Sequence, residues 1–307
     1  MARHVTFPAT DHLVLPGLLY EPTEPTSKVA VWLHGMGDNG VFYSPKRITA
    51  LAETLLARGV ALLAFNNRGA HNSKVLYKDD AALPKDEQRY QAGTHYELIK
   101  DCVADIDGAA DFLQTQGYET FYLAGHSTGA NKICVYDALA SANPFSRYVL
   151  AGPGDDSGLF YMDLGHQNFK RALTYAQKAV LSGRPTKVMP KASGLHPFST
   201  QSAADILDPN GYYNSFPYYE ATHGRLGDKP LFKEYSAITK PMLIIAGSED
   251  EAAASSGGVD RAFDLLKNHA HPMVRNRCSF QIIAGTDHSF HGAEYDFAAR
   301  VAQWLTK

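Results

Sequence analysis

Residues 121–130 read FYLAGHSTGA, and the way this stretch has to bend decides the architecture. Phe121 to Ala124 is a short apolar strand. Gly125-His126-Ser127-Thr128-Gly129 is a Gly-x-Ser-x-Gly turn, and Asn131 to Ala140 is compatible with a helix. A chain that reverses so sharply between strand and helix forces the serine backbone into a strained conformation. A glycine on each side leaves room for the close approach this requires. The serine hydroxyl then stands clear at the C-terminal end of the strand. The N–H of Thr128 falls at the start of the new helix, where unpaired N–H groups and the helix dipole favour negative charge. The pattern alone also fits an ordinary strand-to-helix turn; the flanking strand and helix favour a nucleophile.

Working outward, apolar runs of strand length alternate with helical periodicity. Before the elbow come Val29 to Leu33 (VAVWL), a helix over Pro45 to Arg58 stopped by Gly59, and Val60 to Phe65 (VALLAF). Tyr96 to Leu113 is a further helix. After the elbow, Arg147 to Leu150, Pro241 to Ala246 and Arg277 to Ala284 read as strands, with helices at Gly258 to Asn268 and Tyr295 to Leu305. Continuous apolar strands suit a parallel sheet covered on both faces. Pieces at Val5–Phe7 and Leu13–Leu19 suggest an N-terminal hairpin, and residues 71–93 a polar surface excursion. Between about Ser157 and Lys240 the alternation stops. Helix-like pieces (Asn168 to Leu181, Thr200 to Leu207) and the aromatics Tyr212, Tyr213, Phe216, Tyr218 and Tyr219 suggest a mainly helical cap. The expected division is a core of residues 1–152 and 240–307 with a cap of residues 153–239. The rings are expected to pack cap against body, and some to meet substrate.

Composition narrows the class. The 307 residues are 45% hydrophobic with formal net charge −3 and no long run of one sign, which does not point to nucleic acid or a membrane surface. Cys102, Cys134 and Cys278 are odd in number and far apart, so a disulfide framework or zinc knuckle is not indicated, and reduced thiols in a cytoplasmic protein are expected. The first residues carry no apolar leader, and no apolar run approaches the roughly 18 residues that span a bilayer. Oligomeric state is not legible.

A serine nucleophile needs a base, and the base an orienting acid. His288 follows the last strand and Asp250 the strand before it. Strands of one parallel sheet bring such residues to one edge, in the order Ser127, Asp250, His288. Asp155 or Asp156 after the preceding strand is an alternative acid. Glu249, Glu251 and Asp287 read as loop residues, His269 and His271 as surface, and His126 as packed beneath the serine. His291, three residues past His288, lacks the carboxylates of a metal site, and no cofactor is called for. Three glycines in His34 to Gly40 allow backbone to crowd a ligand, which assigns one oxyanion donor to the N–H of Met36, with Gly37 next, and the other to Thr128. Gly35, Gly37, Arg68 and His126 are the candidate substrate-lining residues; Arg68 holds an acidic substrate group or braces its loop.

With these residues in place, the chain resembles the α/β-hydrolase superfamily from about residue 5 to its end. The likeness is carried by HGMG at His34 to Gly37, GHSTG at Gly125 to Gly129, GSED at Gly247 to Asp250 and GTDHSF at Gly285 to Phe290. The elbow and the aromatic cap are also similar to the siderophore-esterase branch. The resemblance implies an α/β fold with a mostly parallel eight-stranded sheet flanked by helices, and acyl transfer to water through an acyl-enzyme. The expected function is a serine carboxylic-ester hydrolase for a small to medium ester, aromatic ones included. Amide or C–C cleavage uses the same triad, and a ligand receptor on the same fold is the non-enzymatic reading.

Overall fold

The computed structural model describes residues 2–38, 40–41 and 45–307. Asn39, within the glycine-rich loop, lies outside the described residues. The strands in chain order are β1 (Ala2–Pro8), β2 (Val14–Tyr20), β3 (Lys28–Leu33), β4 (Ala61–Phe65), β5 (Lys74–Tyr77) and β6 (Arg89–Ala92). They continue with β7 (Thr120–His126), β8 (Phe145–Ala151), β9 (Met242–Gly247) and β10 (Cys278–Ile283). Eight of them form one sheet in the order β1-β2-β4-β3-β7-β8-β9-β10. β1, β2 and β4 pair antiparallel in sequence, and from β4 to β10 every pairing is parallel.

The helices are α1 (Pro45–Leu56), α2 (Cys102–Thr115), α3 (Thr128–Leu139), α4 (Asp156–Leu181) and α5 (Thr200–Leu207). Then come α6 (Tyr218–Thr222), α7 (Lys233–Ala237), α8 (Val259–His269) and α9 (Glu294–Leu305). β3 shows why its sequence is apolar throughout. Val31 and Leu33 face a core shared with Ile106 of α2 and Ile133 of α3, while Ala30 and Trp32 face Leu51 of α1 and Phe297 of α9. A strand with both faces covered cannot alternate apolar with polar residues. The parallel strands end on one edge, and every catalytic candidate sits on a loop leaving that edge.

Two regions differ from the sequence reading. Residues 71–93 contain the antiparallel pair β5–β6, each strand four residues long and half-exposed, too short for its alternation to stand out. α4 starts at Asp156, twelve residues before the expected helix. Asp155 caps it, accepting from the Gly158 N–H at 2.8 Å. Gly165, at φ 71° and ψ 158°, interrupts it, so α4 is two segments and the first lacks the length that would show its period. The aromatics Tyr213, Phe216 and Tyr218 are fully buried with Phe232 and Tyr235. His269, expected at the surface, packs 4.4 Å from the Phe232 ring.

Candidate active site

Ser127 joins β7 to α3 with φ 57° and ψ −129°, a region a non-glycine residue occupies only when its surroundings impose it. The flanking glycines show what imposes it. A Cβ at Gly125 would lie 2.3 Å from the Gly129 carbonyl oxygen, and one at Gly129 would lie 2.4 Å from that of Leu33. Neither position accepts a side chain while β7, α3 and β3 stay this close. The Ser127 N–H donates to the Ala151 carbonyl at 2.8 Å, tying the turn to β8. The Ser127 hydroxyl does not cap α3.

His288 follows β10, and its Nδ1 lies 2.7 Å from Asp250 Oδ1 after β9. Asp250 is 5% exposed and also accepts from the Ala252 N–H at 2.9 Å. Burial pulls the His288 pKa down; the hydrogen bond and charge of Asp250, with Glu251, outweigh it and hold the ring above the ordinary histidine value. Nδ1 is therefore the protonated nitrogen, leaving Nε2 to take up a proton. Of the alternative acids, Asp155 is spent on the α4 cap, the Tyr219 N–H at 2.6 Å and the Ser255 hydroxyl at 2.9 Å. Asp156 accepts from the Thr128 hydroxyl at 3.1 Å and from Asn131 at 3.3 Å. Burial pushes its carboxyl up to about 7. Asp287 is tied to His291 at 2.6 Å and to the Ser289 N–H at 3.1 Å, within its own loop.

The loop after β3 is set by two side chains. His34 is fully buried, and its Nδ1 lies 2.8 Å from the Gly35 carbonyl, which can only accept, so Nδ1 carries the proton. In a planar trans peptide the N–H points opposite to the C=O. Holding the Gly35 carbonyl therefore aims the Met36 N–H the other way. The Gly37 N–H donates to the Thr94 hydroxyl at 2.6 Å, and that hydroxyl donates to the Gly69 carbonyl at 2.9 Å. Gly37 is thus already engaged, and Met36 is the better-placed donor. Gly35 lies against the nucleophile; a Cβ there would sit 2.9 Å from Ser127 Cβ.

His126 lies behind His288, with ring centroids 4.5 Å apart. Its Nε2 lies 2.7 Å from the His288 carbonyl, so Nε2 is protonated and donates. Burial first, then the charges of Arg47 and His288, push its pKa well down and keep it neutral. Arg47 stacks over Trp32 at 5.7 Å and reaches the Ser289 carbonyl at 3.4 Å. Arg68 is placed differently from a substrate contact. It is 2% exposed and bound to Asp105 at 2.7 Å and Asp11 at 3.0 Å, so its charge is taken up bracing the loop after β4.

Ser127, Thr128, Met36 and His288 together line one cavity of about 510 Å³. The rest of its described wall is Leu159, Phe160 and Ala252, with Asp156, Asp163 and Glu251. The ring on this wall is Phe160; the aromatic stripe from Tyr212 to Tyr219 packs elsewhere. Among the described residues, no group of three or more His, Cys, Asp or Glu side chains is arranged to hold a metal ion. Among the described residues, no helix is long and apolar enough to cross a membrane. The three thiols are free.

The sequence profile of the family described as "Serine aminopeptidase, S33" matches residues 24–294. No curated protein shows significant sequence similarity to the chain. Among solved structures, the chain is similar to ferulic-acid-bound Est1E from Butyrivibrio proteoclasticus, at 15% identity over 98% of each chain with a TM-score of 0.63. It is similar to a monoacylglycerol lipase from Paleococcus ferrophilus, at 16% identity over 95% of this chain and 98% of the other, TM-score 0.60. The α/β hydrolase GrgF from Penicillium sp. sh18 matches at 13% identity over 99% and 98%, TM-score 0.62. At such identities the likeness is one of fold, and the fold is that of the α/β hydrolases.

Proposed function

Since the chain belongs to the serine aminopeptidase S33 family of α/β hydrolases, we propose that it is a serine carboxylic-ester hydrolase working through an acyl-enzyme on small to medium esters. The observation that carries the reading is the 2.7 Å His288–Asp250 contact beside a strained Ser127, with His288 and Ser127 on the wall of one cavity. Ester cleavage is favoured by the esterase and lipase names among the structural neighbours. The family description favours amide cleavage as the second reading, and the same triad serves it.

Ser127 Oγ attacks the substrate carbonyl as its proton passes to His288 Nε2. Asp250 keeps the imidazole in the tautomer that can accept and stabilises the imidazolium. The oxyanion is held by the Thr128 and Met36 N–H groups, each donor of this kind being worth roughly 3 kcal/mol. Collapse expels the alcohol, which takes its proton from His288. Water, deprotonated by His288, then attacks the acyl-enzyme and releases the acid and free Ser127. Residues 153–239 act as the cap, its α4 supplying one cavity wall. The free thiols support a reducing compartment, the cytoplasm.

The test is turnover of p-nitrophenyl esters from acetyl to long acyl and aryl-acyl, by wild type and Ser127→Ala. Turnover that Ser127→Ala lacks is expected. Equal turnover by the variant would overturn the reading, and a wild type active on anilides but not esters would transfer it to amides.

A further inference from the structure

The first segment of α4 lines the cavity with Asp156, Leu159, Phe160 and Asp163, at i, i+3, i+4 and i+7. The second segment, after Gly165, has two contrasting sides. Phe169, Ala172, Ala176 and Ala179 are buried on one of them. Lys170, Thr174 and Lys178, at i, i+4 and i+8, share the opposite side with Arg171. Leu181 follows Lys170 by about three helical turns and so closes the same face. It is 88% exposed, more than any other large apolar side chain among the described residues.

The charge on this part of the chain is of one sign. Residues 164–204 contain Lys170, Arg171, Lys178, Arg184, Lys187 and Lys191 and no aspartate or glutamate. All six are exposed, and none forms an ion pair among the described residues. Arg171 donates to the Asn168 side chain and Lys187 lies 5.4 Å over the Tyr175 ring, contacts that leave both charges in place. The whole chain carries formal net charge −3, so the remainder is net acidic. The cations are spaced along the sequence, and three of them gather on one face only once the helix forms. Lys170, Arg171, Thr174, Tyr175 and Lys178 also line a surface hollow of about 380 Å³. Its described walls offer ammonium, guanidinium and hydroxyl donors and no carboxylate, a donor set suited to phosphate.

We propose that this face of α4 docks on anionic lipid bilayers, with a lipid phosphate in the hollow and Leu181 entering the acyl boundary. Like charges one turn apart repel each other, and a sheet of anionic headgroups relieves that repulsion. A cluster of this many Lys and Arg on an amphipathic helix is the charge complement of an anionic leaflet. A polymeric anion would satisfy the cations and leave Leu181 in water; a bilayer takes up both. Val188, 37% exposed beside Lys187, adds a second apolar contact of the same kind. The proposal goes beyond the ester-hydrolase reading and does not depend on Ser127.

The test sediments the full-length protein with vesicles of phosphatidylcholine alone or with about one-third phosphatidylserine. Binding to the anionic vesicles only is expected, weakening as salt rises. Each Lys or Arg near such a surface is worth about fivefold in affinity, so Lys170→Gln with Lys178→Gln should lower it about 25-fold. Lys28→Gln with Lys307→Gln removes the same charge away from α4 and should cost less than about fivefold. Leu181→Gln changes no charge and should lower affinity roughly fivefold. All five positions are exposed, and urea midpoints check that each variant is folded. Ser127→Ala should bind vesicles as wild type does, so failure of the hydrolase reading and failure of this proposal are told apart. Equal binding to neutral and anionic vesicles, no binding to either, or equal losses from the two lysine pairs overturns the proposal. Binding to duplex DNA or heparin as tight as to anionic vesicles, and unaffected by Leu181→Gln, overturns it in favour of a polymeric anion.

Discussion

Gly152 offers a sharp perturbation of the site, because it touches the proposed base and its proposed acid without being either. It follows β8 with φ 53°, its N–H fixed to the Ile245 carbonyl at 2.8 Å. A Cβ there would lie 2.9 Å from both Cε1 and Nδ1 of His288 and 3.0 Å from Asp250 Oδ2. Gly152→Ala therefore drives a methyl group between the two partners of the 2.7 Å contact. The left-handed backbone costs an alanine about 1 kcal/mol, and overpacking adds about 1–3 kcal/mol, so the variant should lose about 2–4 kcal/mol of stability. The loss of activity should be larger. Mispairing the acid of such a triad costs up to about 10⁴ in kcat, and a displaced rather than deleted acid should cost about 10²–10³. Gly183→Ala is the control: its φ is 73° with nothing within 4 Å of the added Cβ. It carries the same backbone cost, about 1 kcal/mol, and should keep full activity. Urea unfolding measures the first effect, and kcat/KM on p-nitrophenyl butyrate, under conditions where both variants are folded, the second. A Gly152→Ala enzyme that is destabilised as expected but retains wild-type kcat/KM would refute the claim that Asp250 orients His288.

Other expectations follow from the same geometry. Because Asp250 and Glu251 outweigh burial and hold His288 above its ordinary pKa, the acid limb of the kcat/KM profile should have its midpoint above about 6.5. Asp250→Asn should move that limb to lower pH as well as lowering kcat; an unmoved limb would separate Asp250 from the base. His34→Ala frees the Gly35 carbonyl and with it the aim of the Met36 N–H. It should lower kcat roughly tenfold or more with little change in KM, as for an interaction made in the transition state; a rise in KM alone would count against the clamp. Asp156 has its carboxyl raised from 3.8 to about 7. The unfolded chain therefore ionises it first, and the contribution of Asp156 to stability falls as pH rises from about 4 to 7. Asp156→Asn removes that loss, so its stability relative to wild type should improve by roughly 2–4 kcal/mol between pH 4 and pH 8. A pH-independent difference in urea midpoints would contradict the shift.

The elbow was legible because its constraints are local. Gly125 and Gly129 are needed within a few residues of Ser127, and the apolar β7 and the start of α3 flank them directly. Asp250 and His288 were legible from order, since parallel strands must deliver their C-terminal residues to one edge. What sequence did not show depends on contacts between distant segments. Thr94 takes up the Gly37 N–H across 57 positions, and Arg47 reaches Ser289 across 242; no spacing rule announces either. The cavity face of α4 was hidden because its first segment ends at Gly165, so the i, i+3, i+4, i+7 pattern had too few turns to register. The Tyr- and Phe-rich stretch after residue 211 looked eligible for substrate contact, yet Tyr213, Phe216 and Tyr218 lie wholly in the core. Aromatic composition cannot say which side of a cap a ring faces. Arg68 was ambiguous for a similar reason: its partner Asp105 is 37 residues on and reaches it through α2.

The most direct test of the central claim is intact-mass analysis after reaction with an active-site fluorophosphonate, run on wild type and Ser127→Ala. The account requires a single adduct on wild type, absent from the variant, with its formation following the same acid limb as ester turnover. Equal labelling of Ser127→Ala, or ester turnover by a wild type that forms no adduct, would contradict it.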